Sequence, residues 1–215
     1  MLPFFTDPYP NELIYSAISR YHFYNGNVHF SDTLKELFDN RTVIPIIEFG
    51  SHLTNLVQNL GPEYSIEKII SANTIYPFFA PFLTKEKQEK VIEDMKENAR
   101  GLRGRLGILP SKVDTKKGIF FCTNCVIDDI ERYGEPYIHR EHHLPAIYYC
   151  PHHEQLLNKY PIDYKTFSRH GYIRLDKRII DSLILEDDNG DTEEFKEIQV
   201  QLCKRAHYFS LPFSH

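Results

Sequence analysis

The stretch Ile119-Phe120-Phe121-Cys122-Thr123-Asn124-Cys125, followed after 24 residues by Cys150-Pro151-His152-His153, decides how this chain is read. Its spacing is C-x2-C and then C-x2-H. Two ligands three positions apart can grip one ion from a single tight turn, and a second such turn completes a tetrahedron. Three thiolates and one imidazole at this spacing form a zinc set: Cys122, Cys125, Cys150 and His153. A closed set of four leaves no open position for a substrate, so the metal is expected to be one structural Zn2+.

Working outward, Ile119-Phe120-Phe121 and Ala146-Ile147-Tyr148-Tyr149 read as short strands that deliver the ligands, with Pro151 in a tight turn between the second pair. His152 competes with His153, but C-x2-H has the same reach as C-x2-C, whereas C-x-H would strain the turn. The run His139-Arg140-Glu141-His142-His143 lacks the H-E-x-x-H spacing that sets two imidazoles on one helical face. His142 and His143 therefore read as polar packing residues, or as partners for the other nitrogen of a ligand imidazole.

The remaining sequence limits the class. The chain has 215 residues, is 41% hydrophobic and 26% charged, and has a formal net charge of -5. This is a globular composition. There is no apolar run long enough to cross a membrane. The opening MLPFFTDPYP lacks the basic and apolar regions of a signal peptide. Paired cysteines in such a chain read as metal ligands rather than disulfides. Cys203 stands apart and reads as a small buried apolar residue. No G-x-S-x-G, Walker or Rossmann pattern is present.

Charge is distributed unevenly. Residues 84–117 are rich in Lys and Arg, whereas residues 181–197 are strongly acidic. DNA affinity depends on cations that meet phosphate. Arg100, Arg103, Arg105, Lys112, Lys116 and Lys117, at a glycine-rich junction, are the candidate DNA-contacting residues.

The first 110 residues carry helical periodicity. Asn11 is placed to cap a helix with Leu13, Ile14, Ala17, Ile18 and Tyr21 on one face. Ser31 precedes a helix carrying Leu34, Leu37 and Phe38. Ser51 precedes one carrying Leu53, Leu56, Val57 and Leu60, stopped by Gly61-Pro62. Ser65 opens another with Ile66, Ile69 and Ile70. Thr84 opens the longest, with Val91, Ile92, Met95 and Ala99, and Gly101 is placed to end it. A final helix has the stripe Phe195, Ile198, Leu202, Ala206 and Phe209, capped by Asp191. The expected fold is mainly α. A helical, helix-turn-helix-like domain (1–110) is followed by a small zinc-finger module with short strands (111–160). A mixed segment (161–215) ends in a C-terminal helix and continues in a longer native protein.

At this point the residues resemble a known family. Pro8-Tyr9-Pro10-Asn11-Glu12-Leu13-Ile14-Tyr15-Ser16, with Ile18 and Arg20, is similar to the start of the TniQ/TnsD transposition target-site selectors. Ser51-His52-Leu53, Tyr76-Pro77 and Ala80-Pro81-Phe82 resemble later blocks. The most specific match runs Cys122-x2-Cys125, Arg132-Tyr133-Gly134-Glu135, Leu144-Pro145-Ala146, Tyr149-Cys150-Pro151-x-His153. The family often carries an aromatic residue near Ile138, which is absent here. The resemblance covers roughly residues 3–160 and implies a non-enzymatic role in the bacterial cytoplasm. In that role the protein engages double-stranded target DNA and recruits an AAA+ ATPase, TnsC. It also implies the same four zinc ligands. TnsD proteins are much longer, so the chain resembles an N-terminal portion.

Two other readings compete. His142-His143 ahead of Cys150-x2-His153 faintly resembles a His-Asn-His nuclease with a bracing zinc, but Ala146–Tyr149 offers no Asn. The other is a generic zinc-finger interaction module without a link to transposition.

Overall fold

The computed structural model describes residues 2–107, 116–162, 167–181 and 193–208. The chain is mainly α-helical. Helices α1 (Ile14–Tyr24), α2 (Phe30–Phe38), α3 (Leu53–Leu60), α4 (Ile66–Asn73), α5 (Tyr76–Phe79), α6 (Lys85–Glu97) and α7 (Leu102–Arg105) fill the first half. Then come β1 (Phe120–Phe121), α8 (Thr123–Tyr133), β2 (Asn158–Lys159), α9 (Lys177–Asp181) and α10 (Glu193–Tyr208). Short 3-10 turns lie at Ala80–Phe82 and Arg140–His143. Among the described residues, β1 and β2 make the one sheet, antiparallel, with Phe120 opposite Lys159 and Phe121 opposite Asn158.

The apolar stripes of the N-terminal helices face inward. Leu13, Ile14, Ala17, Ile18 and Tyr21 are buried, as are Leu34, Leu37 and Phe38 on α2 and Leu53, Leu56 and Leu60 on α3. α2 packs on α3, and α3 packs on α6, whose Val91 and Met95 are buried. The same core continues into the second half through Ile119, Phe121, Ile138, Leu144, Ile147 and Tyr160. A small separate cluster holds Phe120, Cys122, Cys125, Cys150 and Leu157.

Helix starts divide into those fixed by local capping and those fixed by tertiary contacts. The hydroxyls of Ser65 and Thr84 cap α4 and α6, accepting from the Lys68 and Lys87 amides. Asn11 does not cap α1: it adopts a left-handed φ of 59°, and its carbonyl accepts the Arg140 amide at 2.8 Å. Ser31 lies inside α2, which starts from His29. Ser51 is also diverted, since its Oγ accepts the Ala99 amide at 3.1 Å and α3 starts from His52. Gly101, in place of ending α6, starts α7 with φ 79°. The second expected strand reduces to a single bridge, Tyr149 with Leu156, because Ala146 turns the chain with φ 60°. α10 is rolled relative to its expected stripe: Val200 and Cys203 are buried, while Phe195, Ile198 and Leu202 are about half exposed. The buried Gln199 on this inner face accepts the Tyr148 amide at 2.7 Å. Asp191 and Phe209 lie outside the described residues.

Candidate metal centre

The two knuckles are built differently. Cys122 stands at the N-cap of α8 and Cys125 lies in its first turn. The helix N-terminus offers free amides and a positive dipole end, which favour thiolates. Cys122 Sγ accepts the Cys125 amide. Gly134, with φ 83°, closes α8 by donating to the Ile130 carbonyl at 2.9 Å. The second knuckle is the tip of a hairpin. Leu157 donates to Tyr148 O at 2.7 Å and the Cys150 amide to Gln155 O at 2.8 Å. The Glu154 amide returns to Cys150 O at 2.9 Å. Cys150 Sγ accepts the His152 amide. The β1–β2 ladder joins the two knuckles.

This brings Cys122, Cys125, Cys150 and His153 together, with one donor atom of each within 4.8 Å of all the others. Cys125 Sγ lies 3.5 Å from Cys150 Sγ and 3.3 Å from His153 Nδ1. Cys122 and Cys150 lie 3.6 and 3.7 Å from the same nitrogen. A tetrahedral zinc with bonds of about 2.3 Å to sulfur and about 2.0 Å to nitrogen has edges of about 3.8 Å (S–S) and about 3.5 Å (S–N). The four residues fit a divalent ion of that size and softness. The three cysteines are buried and free of disulfides. The sulfurs also conflict electrostatically. Hydrogen bonds from Cys125 and Cys150 hold Cys122 far toward thiolate, while the hydrogen bond with Cys122 pushes Cys125 far up and Cys150 up to about 12. A divalent cation relieves that conflict by letting all three ionise.

Histidine assignments follow from the partners. His153 Nε2 pairs with Asp128 Oδ2 at 3.2 Å, which leaves Nδ1 as the ligand nitrogen. Asp128 carries no signal in the spacing alone. His152 is turned away, with Nε2 on Glu141 Oε2 at 2.7 Å, and this hydrogen bond raises its pKa. His143 is buried: Nδ1 donates to His139 O at 3.0 Å and Nε2 accepts the Phe120 amide at 3.3 Å. Burial pulls its pKa down to about 3. His139 stacks on Tyr137 and pairs with Asp129 at 2.9 Å.

A buried charged network that the sequence reading did not identify ties the start of the chain to this module. Glu12 is fully buried and accepts from Arg20 at 2.8 Å, from Ser16 Oγ at 2.6 Å and from the Tyr9 amide at 2.8 Å. Arg20 Nε donates to Glu135 at 2.8 Å, and its guanidinium lies 3.8 Å from the Tyr9 ring centroid. Leu13 donates to Ile138 O, and Ile138 donates to Ser16 Oγ, both at 3.0 Å. Ile138 is fully buried.

The candidate DNA contacts do not form one free patch. Arg103 is ion-paired with Glu48, and Arg105 with Asp94 at 2.8 Å. Lys116 donates to Ile147 O and lies over the rings of Phe120 and Tyr148; burial pulls its pKa down to about 7. Lys112 lies outside the described residues. Arg100 and Lys117 are exposed and make no ion pair among the described residues.

The TniQ family model matches residues 3–157, a span that holds both the buried network and all four metal-site residues. The transposon Tn7 transposition protein TnsD of Escherichia coli is 36% identical over 156 residues, covering 71% of this chain. The chain spans 31% of the length of that curated relative.

Proposed function

The chain belongs to the TniQ family, and on that premise we propose that it selects target sites for cut-and-paste DNA transposition without enzymatic activity of its own. The reading rests on one observation: the family match spans both the Glu12–Arg20–Glu135 network and the Cys3His cluster. The protein engages double-stranded target DNA and recruits the AAA+ regulator TnsC. The cluster holds one structural Zn2+ through Cys122, Cys125, Cys150 and His153, and the ion braces the segment rather than meeting a substrate. The helical unit spans residues 1–110, the zinc module 111–160, and a segment ending in α10 spans 161–215. No helix among the described residues is long and apolar enough to cross a membrane.

The test is co-purification of this chain with its cognate AAA+ ATPase, with and without target DNA. Retention of the ATPase on DNA only in the presence of the chain supports the reading. No association under either condition overturns it. Metal-dependent nicking of plasmid DNA that disappears in His142→Ala would favour the nuclease instead.

A further inference from the structure

His142 stands out in the wall of the metal centre. It is wholly buried in the 3-10 turn Arg140–His143. Its Nε2 lies 3.7 Å from Cys125 Sγ. Its Nδ1 is buried and has no hydrogen-bond partner. The ring is held against His139, with centroids 4.9 Å apart, and His139 is itself fixed by Asp129 and the Tyr137 ring. His142 is outside the group of four whose donor atoms lie mutually close.

A neutral imidazole has one N–H, and the surroundings decide where it sits. A proton on Nδ1 would leave a buried donor unpaired and would aim the Nε2 lone pair at sulfur. A proton on Nε2 points the donor at sulfur and leaves only an unpaired acceptor, the more tolerable vacancy. Three thiolates around a divalent ion leave one net negative charge in a dry site, and such charge is stabilised by N–H donors. Cys122 and Cys150 each accept an amide from their own knuckle. We propose that His142 is a positioning residue for the metal centre: as the Nε2–H tautomer it donates an N–H···S hydrogen bond to the Cys125 thiolate, orienting that ligand and tightening metal retention. This rests on the reading of the Cys3His cluster as a metal site.

The experiment uses the full chain loaded with 113Cd2+ or Co2+. In the 113Cd form, the His142 Nε2–H resonance should show scalar coupling to the metal across the hydrogen bond. In the Co2+ form, His142→Phe should shift the sulfur-to-cobalt charge-transfer band and lose metal to a competing chelator about tenfold more readily. His142→Gln, which keeps an amide donor, should recover most of both. A metal-loaded protein whose His142 is the Nδ1–H tautomer, or lacks the coupling, overturns the proposal without needing any variant. So does a His142→Phe spectrum in which a nitrogen ligand has been lost, which would make His142 itself a ligand. Failure to take up either metal would overturn the underlying metal reading, a distinct result.

Discussion

At the residue scale, the two adjacent histidines differ sharply in role. His153 aims Nδ1 at three sulfurs, whereas His152 pairs with Glu141. His153→Ala should lower zinc affinity by more than about 100-fold, the upper end of the cost of losing an outer partner. His152→Ala should leave zinc content unchanged, and elemental analysis of both purified variants decides the matter. His143 yields a pH prediction with a definite sign. Its folded pKa is near 3, below the ordinary value near 6.5. The unfolded chain therefore binds its proton first as pH falls, and the neutral form's contribution is complete above about pH 6.5. Below that value stability should fall by about 1.4 kcal/mol per pH unit from this residue, until the folded pKa is reached. Urea titrations of wild type and His143→Gln at several pH values, with zinc in excess, should show a shallower loss in the variant. Parallel curves would show that another group carries the slope.

At the element scale, the central unit is the contact between α1 and the segment after α8. Arg20 on α1 lies between the buried carboxylates of Glu12 and Glu135. Burial outweighs the attraction of Arg20 and pushes Glu12 up to about 7, so the network is finely balanced. Removing the guanidinium leaves the buried Glu12 without its cation and Glu135 with only the more distant Arg174, at 3.8 Å. Arg20→Met should cost about 3–5 kcal/mol in chemical denaturation. The triple variant with Glu12→Gln and Glu135→Gln should recover most of that loss, because it removes the stranded charges as well. Recovery of nothing would place the cost in packing instead. This element also marks the limit of what the sequence made legible. Stripes such as Leu53-Leu56-Leu60 and caps such as Ser65 and Thr84 are local, and spacing along the chain reveals them. The four metal residues were legible for the same reason, each pair lying within one turn. Arg20 and Glu135 are 115 residues apart, and nothing in local spacing links them. α8 was hidden because its N-cap and first turn are the metal knuckle itself, although Val126 and Ile130 at helical spacing and the stop at Gly134 are signals for it. The roll of α10 was hidden because its inner face is decided by Gln199 meeting the hairpin, beside the buried Val200 and Cys203, not by its most apolar residues.

At the scale of the whole molecule, the metal centre is a small apolar cluster of its own, apart from the core that runs from the N-terminal helices into Ile119, Phe121, Ile138 and Ile147. Chelation of the metal should therefore expose amides around 119–157 first, with α2, α3 and α6 protected longer in hydrogen exchange, since local stability follows local burial. Uniform loss of protection would mean that the chain unfolds as one unit. The charge distribution carries the last prediction. A chain with net charge -5 cannot hold DNA through overall attraction, so any phosphate contact must come from local cations. Arg103 and Arg105 are engaged by Glu48 and Asp94, and Lys116 is turned inward, whereas Arg100 and Lys117 are exposed. Each phosphate contact contributes about 0.9 to the slope of log affinity against log salt. Arg100→Ala with Lys117→Ala should reduce that slope by about two and weaken all duplex sequences alike, because phosphate contacts position a protein without reading bases. Arg103→Ala should instead lower stability, because it strands Glu48, whose side chain is only 13% exposed. Fluorescence anisotropy with two unrelated duplexes over a salt series separates the cases. An unchanged slope in the Arg100/Lys117 double variant would place the DNA-facing surface elsewhere on the molecule.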